Sequence, residues 1–155
     1  MTPSAEMKAR LMQRHPLIVS EATDIRCGEG WEALIDALCE CLQAATSQGA
    51  PQIEADQFKE KFGLLGFHGG RASPEQQGMI TMARAMSGRI CEQCGRPGET
   101  RVAAAVLTRC PEHMPAEAIS MDEHARRIEL RDAEREARRI ARSQAKNEPQ
   151  DPFFF

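Results

Sequence analysis

Across residues 28–49 the apolar side chains Trp31, Leu34, Ile35, Leu38, Leu42 and Ala45 recur at three- and four-residue steps. That spacing lines one face of an α-helix, and Gly49-Ala50-Pro51 ends it. A shorter helix is expected over residues 6–14, stopped by Pro16. From Pro51 to Gly70 the pattern changes: Phe58, Phe62, Leu64, Leu65 and Phe67 are interrupted by Gly63 and Gly66. Aromatics broken by glycine suit a β-hairpin turning near Gly63, with a helical turn over 57–62 as the alternative. Gly69-Gly70 marks a loop.

A further helix is announced by Ser73, Pro74 and Gln76, which form a Ser-x-x-Gln capping box with proline at the first helical position. Met79, Met82, Ala83, Met86 and Ile90 then make a stripe expected to pack in the core. Residues 118–147 predict a long charged helix. Ser120 and Glu123 form a second capping box, and Asp122/Arg126, Glu123/Arg127 and Glu134/Arg138 place acid four residues before base. At 100° per residue Met121, Ala125 and Ile128 share a face, whereas Leu130, Ala133, Ala137 and Ile140 fall on roughly the opposite one. Such a helix docks through its first half, leaving the second half to project, to stay solvated, or to meet another molecule, a second copy included. Pro149 and Pro152 exclude helix from the last residues, where Phe153, Phe154 and Phe155 either fold back on the body or enter a pocket on a partner.

Length adjusts this picture little: 155 residues allow one ordinary domain with appendages. The expected division is a body over 1–118 containing a metal module at 88–116, a charged helix over 119–147 and an aromatic tail over 148–155. No run approaches the roughly 18 apolar residues of a membrane span, and the first residues lack a signal-peptide pattern. No membrane association and a cytoplasmic location are therefore expected, where six cysteines are ligands or buried thiols sooner than disulfides.

Two of the cysteine spacings carry chemistry. Cys91 and Cys94 are separated by two residues and followed by Gly95, whose permissive backbone helps the turn reverse. Cys110 and His113 repeat the spacing, with fifteen residues between the pairs for a turn and one or two short strands. Three thiolates and one imidazole complete a tetrahedral set favouring one Zn2+. A full set of protein ligands leaves no open position for activated water, so the ion is expected to be structural. Pro111 and Pro115 place the second pair between a zinc ribbon and a treble clef, with a fresh helix near Ala116. Cys39 and Cys41 point about 160° apart on a helix and read as buried thiols. Cys27 lies before Gly28 in a loop, with a two-ligand metal site shared with His68 as the minor alternative, and His15 and His68 otherwise carry no partner pattern. The fold class expected is α+β, mainly helical, with a zinc-ribbon or treble-clef-like knuckle on a helical and hairpin body.

The run Gly-Glu-Gly-Trp-x-x-Leu-Ile-x-x-Leu-Cys at 28–39, Gln-Phe-Lys-Glu-Lys-Phe-Gly-x-Leu-x-Phe at 57–67 and Ile-Cys-Glu-x-Cys-Gly-x-Pro-Gly at 90–98, with the later Cys-x-x-His, resembles small zinc-ribbon-like proteins encoded by tailed phages and prophages. The resemblance spans about residues 24–113. It implies a zinc-stabilised α+β body and a mobile-element origin, and no reaction. Gly66 departs from the pattern at a position often basic, and the charged helix and Phe tail lie outside it.

The net charge of −3 is unevenly spread: residues 1–62 hold six basic and ten acidic side chains, and residues 84–113 hold five Arg against three Glu. Neither stretch has the strong positive excess of a non-specific duplex binder. A nuclease of the His-Asn-His type needs a further His as general base, and the only one near the cysteines, His113, is taken by the metal. No nucleophile with a base or phosphate loop stands elsewhere, so no enzyme is expected. The first functional expectation is an accessory protein, an inhibitor or adaptor, that binds a host or phage protein through Arg135, Arg138, Arg139 and the terminal Phe residues. The alternative is a nucleic-acid-binding zinc module using Arg89, Arg96, Arg101 and Arg109.

Overall fold

The computed structural model describes residues 3–147 and is α+β, about half helical, with four helices and two small sheets. Two compact units are present, Met1–Ala118 and Ile119–Phe155. In the first, helix α1 (Pro3–Arg14) buries Met7 and Leu11, one turn apart on the same face. Strand β1 (Asp24–Arg26) leads into a single 3-10 turn at Glu29–Trp31 and then helix α2 (Glu32–Ser47). All six residues of the expected stripe are buried, Trp31, Ile35 and Leu42 completely. Trp31 sits in the 3-10 turn, so the α-helix starts later than its apolar periodicity.

Strands β2 (Ala55–Lys61) and β3 (Leu64–Gly69) form the expected hairpin, and β1 pairs with β2 in parallel. The two-residue turn is Phe62-Gly63 with both φ angles positive, 54° and 76°, a twist that matches the flanking strands. Phe58 is fully buried and its ring centroid lies 5.2 Å from that of Phe67, anchoring the sheet to the core beneath α2. Helix α3 (Pro74–Ser87) begins on the expected capping box, both halves present. Gln76 does more than cap. It is fully buried, and its amide donates to the Pro51 carbonyl at 2.8 Å, tying the start of α3 to the loop after α2.

Hairpin β4 (Glu99–Val102) and β5 (Val106–Arg109) follows, in register from Glu99 opposite Arg109 to Val102 opposite Val106. It is locked to the first hairpin: the buried Thr108 hydroxyl donates to the Gly63 carbonyl and lies 2.7 Å from the Thr100 hydroxyl. The second unit holds the short segment β6 (Ile119–Ser120) and helix α4 (Met121–Asn147).

Four expectations are corrected. Met82 and Met86 are not core residues but stand 65% and 45% exposed. They line an apolar trough of about 160 Å³ between α2 and α3, with Leu34, Leu38, Cys41 and Met79. Cys41 is exposed, unlike the fully buried Cys39. No helix begins near Ala116, because Pro115 to Ala118 closes a turn through the Ala118 N–H and the Pro115 carbonyl at 3.0 Å; α4 starts at Met121, where the Ser120 cap, accepting from the Glu123 N–H at 3.1 Å, was expected to start it. Arg126 pairs with Glu123 at 3.3 Å rather than with Asp122, while the Glu123–Arg127 and Glu134–Arg138 pairs form as spaced.

Candidate metal centre

Cys91, Cys94, Cys110 and His113 converge so that their ligand atoms all lie within 4.8 Å of one another. Together they could bind one metal ion. The chain folds this way for local reasons. After α3 the Gly98 N–H bonds the Arg89 carbonyl at 2.9 Å, the Cys91 N–H bonds the Arg96 carbonyl at 2.7 Å, and the Gly95 N–H returns to the Cys91 carbonyl at 2.8 Å. Gly95 closes this loop with φ of 76°, a left-handed conformation that side chains disfavour. On the far side of the β4–β5 hairpin, the His113 N–H bonds the Cys110 carbonyl at 3.0 Å, making the second tight turn.

Three of the six separations among these atoms are short. Cys94 Sγ lies 3.7 Å from Cys110 Sγ, and His113 Nδ1 lies 3.5 Å from Cys91 Sγ and 3.3 Å from Cys110 Sγ. Arg96 spans the two ligand turns: its Nε donates to Cys94 Sγ at 3.5 Å and its Nη1 to Glu112 at 2.7 Å. The Arg96 guanidinium, helped by its own backbone N–H, pulls the Cys94 thiol down to about 6. Burial pushes the Cys110 thiol up, while its contact with Cys91 raises the His113 imidazole. Burial opposes the Cys91 thiolate too, but backbone N–H donors and His113 bring it below an ordinary thiol.

The residues that seat this knuckle on the body are ones the ligand spacing does not reveal. Glu92, buried between the first two cysteines, accepts from the Gly28 N–H at 3.0 Å through one carboxylate oxygen and from Arg109 Nη1 at 2.7 Å through the other. Its carbonyl accepts from the Gly30 N–H at 2.8 Å, and its own N–H reaches the Thr108 carbonyl at 3.1 Å. Trp31 Nε1 donates to the Ile90 carbonyl at 2.9 Å. A Cβ on Gly28 would lie 2.3 Å from the Glu92 carbonyl oxygen, and one on Gly30 would lie 2.2 Å from that of Cys91. Glycine is required at both because backbone passes against backbone. The Gly-Glu-Gly-Trp run is thus a clasp for the knuckle. A carboxylate between two metal-spaced cysteines was the one hint of it in the sequence.

The arginines expected around the knuckle are mostly neutralised: Arg96 by Glu112, Arg101 by Glu99 and Arg109 by Glu92. Arg89 is exposed. Arg135, Arg138 and Arg139 lie in α4, in the second unit, and Phe153, Phe154 and Phe155 lie outside the described residues. Cys27 is held in thiol form, pushed up to about 12 by burial and then by Glu92. His15 bonds Asp36 at 2.6 Å, tying the loop after α1 to α2. Among the described residues no helix is long and apolar enough to cross a membrane. The chain matches no family model, and no curated protein or solved structure matches it.

Proposed function

We propose that this chain is a non-enzymatic, phage-type accessory protein that acts by binding a protein complex, and that its Cys3His centre holds one structural Zn2+. The spacing of the four ligand atoms carries the metal reading. Tetrahedral zinc, with bonds of about 2.3 Å to sulfur and about 2.0 Å to nitrogen, sets neighbouring sulfurs about 3.8 Å apart and sulfur to nitrogen about 3.5 Å apart. The 3.7 Å and 3.3–3.5 Å separations match that geometry. Four protein ligands complete the coordination, which favours a structural ion over a catalytic one. Binding energies on the order of 10 kcal/mol make such an ion comparable with a whole domain's stability.

A protein partner is supported by the apolar trough between α2 and α3, where exposed methionines offer an adaptable surface. The phage-type origin rests on the resemblance of the three motif blocks, in their order along the chain. Nucleic acid is the second reading, favoured by the distribution of charge on α4.

Metal analysis of protein purified without added zinc is expected to return one zinc per chain. Chelation, or Cys94→Ser, is expected to unfold the Met1–Ala118 unit, read from Trp31 fluorescence. Absence of stoichiometric metal with an intact fold refutes the zinc reading. Capture from a host lysate that resists nuclease and is lost in Met82→Glu/Met86→Glu supports the protein partner. Capture abolished by nuclease supports the second reading.

A further inference from the structure

Helix α4 spans Met121–Asn147, and every residue from Arg126 to Lys146 is exposed. Its charges are sorted by face. At 100° per residue Arg127, Arg131, Arg135, Arg138, Arg142 and Lys146 fall inside an arc of about 100°, and no carboxylate of the helix falls within it. Arg139 lies at the edge of the same arc. At 1.5 Å per residue the row runs about 28 Å. Toward its end Arg135, Arg138, Arg139, Arg142 and Lys146 stand close together on the exposed helix surface. The carboxylates flank the row and pair with part of it: Glu123 with Arg127, Asp132 with Arg135, Glu134 with Arg138. Arg131, Arg142 and Lys146 have no carboxylate in ion-pair range among the described residues. After Glu136 the helix carries four cations and no anion.

We infer that this face of α4 binds the phosphate backbone of duplex DNA without reading its sequence. Charge complementarity selects the occupant. A straight row of cations one helical turn apart calls for an equally regular row of anions, which a phosphodiester strand supplies. All but one of the row's cations are guanidinium groups, whose planar fork suits phosphate oxygens. Single-stranded nucleic acid is held largely by bases stacking on aromatic side chains, and α4 has none. A-form RNA has a deep, narrow major groove, whereas that of B-DNA, about 12 Å wide, admits a helix. The chain's net charge of −3 does not oppose this, because the ionic atmosphere screens beyond roughly 8–10 Å. The inference deepens the second reading above; it needs α4 and a binding role, but not the metal.

The test uses the full-length, metal-loaded chain and a fluorescein-labelled duplex about 25 base pairs long, read by anisotropy from about 50 to 200 mM KCl. Three to six phosphate contacts give a log–log salt slope of about −3 to −5. The triple variant Arg131→Gln/Arg142→Gln/Lys146→Gln is expected to weaken binding at least about tenfold at the low-salt end and to flatten the slope by about 3. Arg126→Gln, on the opposite face, is expected to bind as the parent does. Circular dichroism at 222 nm verifies that α4 stays helical. A folded, zinc-loaded protein that does not bind the duplex overturns this inference and leaves the structural-zinc reading standing. So does a triple variant that binds unchanged, or displacement of the duplex by polyglutamate or single strand more readily than by unlabelled duplex.

Discussion

Replacing Glu92 by Ala tests whether the clasp holds the knuckle to the body. The carboxylate is the partner of Arg109 at 2.7 Å and of the Gly28 N–H at 3.0 Å. Removing one member of a buried ion pair costs about 3–5 kcal/mol. Arg109 keeps 22% of its side-chain surface in water and a bond to the Thr108 carbonyl, so about 2 kcal/mol is the appropriate share here. The orphaned Gly28 N–H adds about 1 kcal/mol. The total, about 3 kcal/mol, is a large part of the 5–15 kcal/mol typical of a domain. With a urea dependence of about 1.5 kcal/mol per molar, the midpoint is expected to fall by about 2 M. The assay is urea unfolding of the metal-loaded chain followed by Trp31 emission. Glu92→Gln keeps the acceptor for Gly28 and loses the charge, so it is expected to cost about half as much. A cycle with Arg109→Ala isolates the pair, and a coupling of about 1–2 kcal/mol is expected. An Ala variant within about 0.5 kcal/mol of the parent, or strict additivity with Arg109→Ala, would refute the reasoning.

Three further outcomes are expected. Gly30→Ala drives a methyl group to 2.2 Å from the Cys91 carbonyl oxygen, so stability should drop by about 3 kcal/mol or more and metal retention should fall, measured by denaturation and by competition with a chromophoric chelator. Gly78→Ala should do the reverse, because the site inside α3 is open and no atom beyond the helix's own nearby backbone lies within 4 Å of the added Cβ; a gain of about 0.5–1 kcal/mol in thermal denaturation is expected. Trp31→Phe leaves the Ile90 carbonyl without its donor and is expected to cost about 1–3 kcal/mol, followed by circular dichroism since the fluorophore is gone.

Where a pattern depends on local geometry, the sequence was informative. The α2 stripe, the capping box at Ser73, the turn at Gly63 and the four ligands all appear where spacing placed them. Met82 and Met86 went astray because periodicity says which residues share a face and not whether another element covers it; α2 and α3 leave that strip open. Cys41 failed for the same reason. The start of α4 was legible in the Ser120 cap, but the segment before it was not, because Pro115 permits a turn as readily as a helix start. Glu92, Arg109 and Trp31 escaped as members of one site because their contacts join distant stretches, and no window-based pattern contains both sides. The charge row on α4 was present in the order of residues, but salt-bridge spacing drew attention to neighbours four apart and away from the face as a whole.

The passage of residues 28–31 against 90–92 has a consequence for how this chain can vary over time. Its hydrogen bonds join positions 64 and 59 residues apart, and carbonyls occupy the space where side chains would otherwise stand. Two remote words of the sequence are therefore spelled jointly: drift at Gly28 or Gly30 is tolerable only with a matching shift of the loop opposite. Among descendants these positions should be inherited as a pair, and a hybrid that splices one lineage's first half to another's second should fail at this seam before it fails anywhere else.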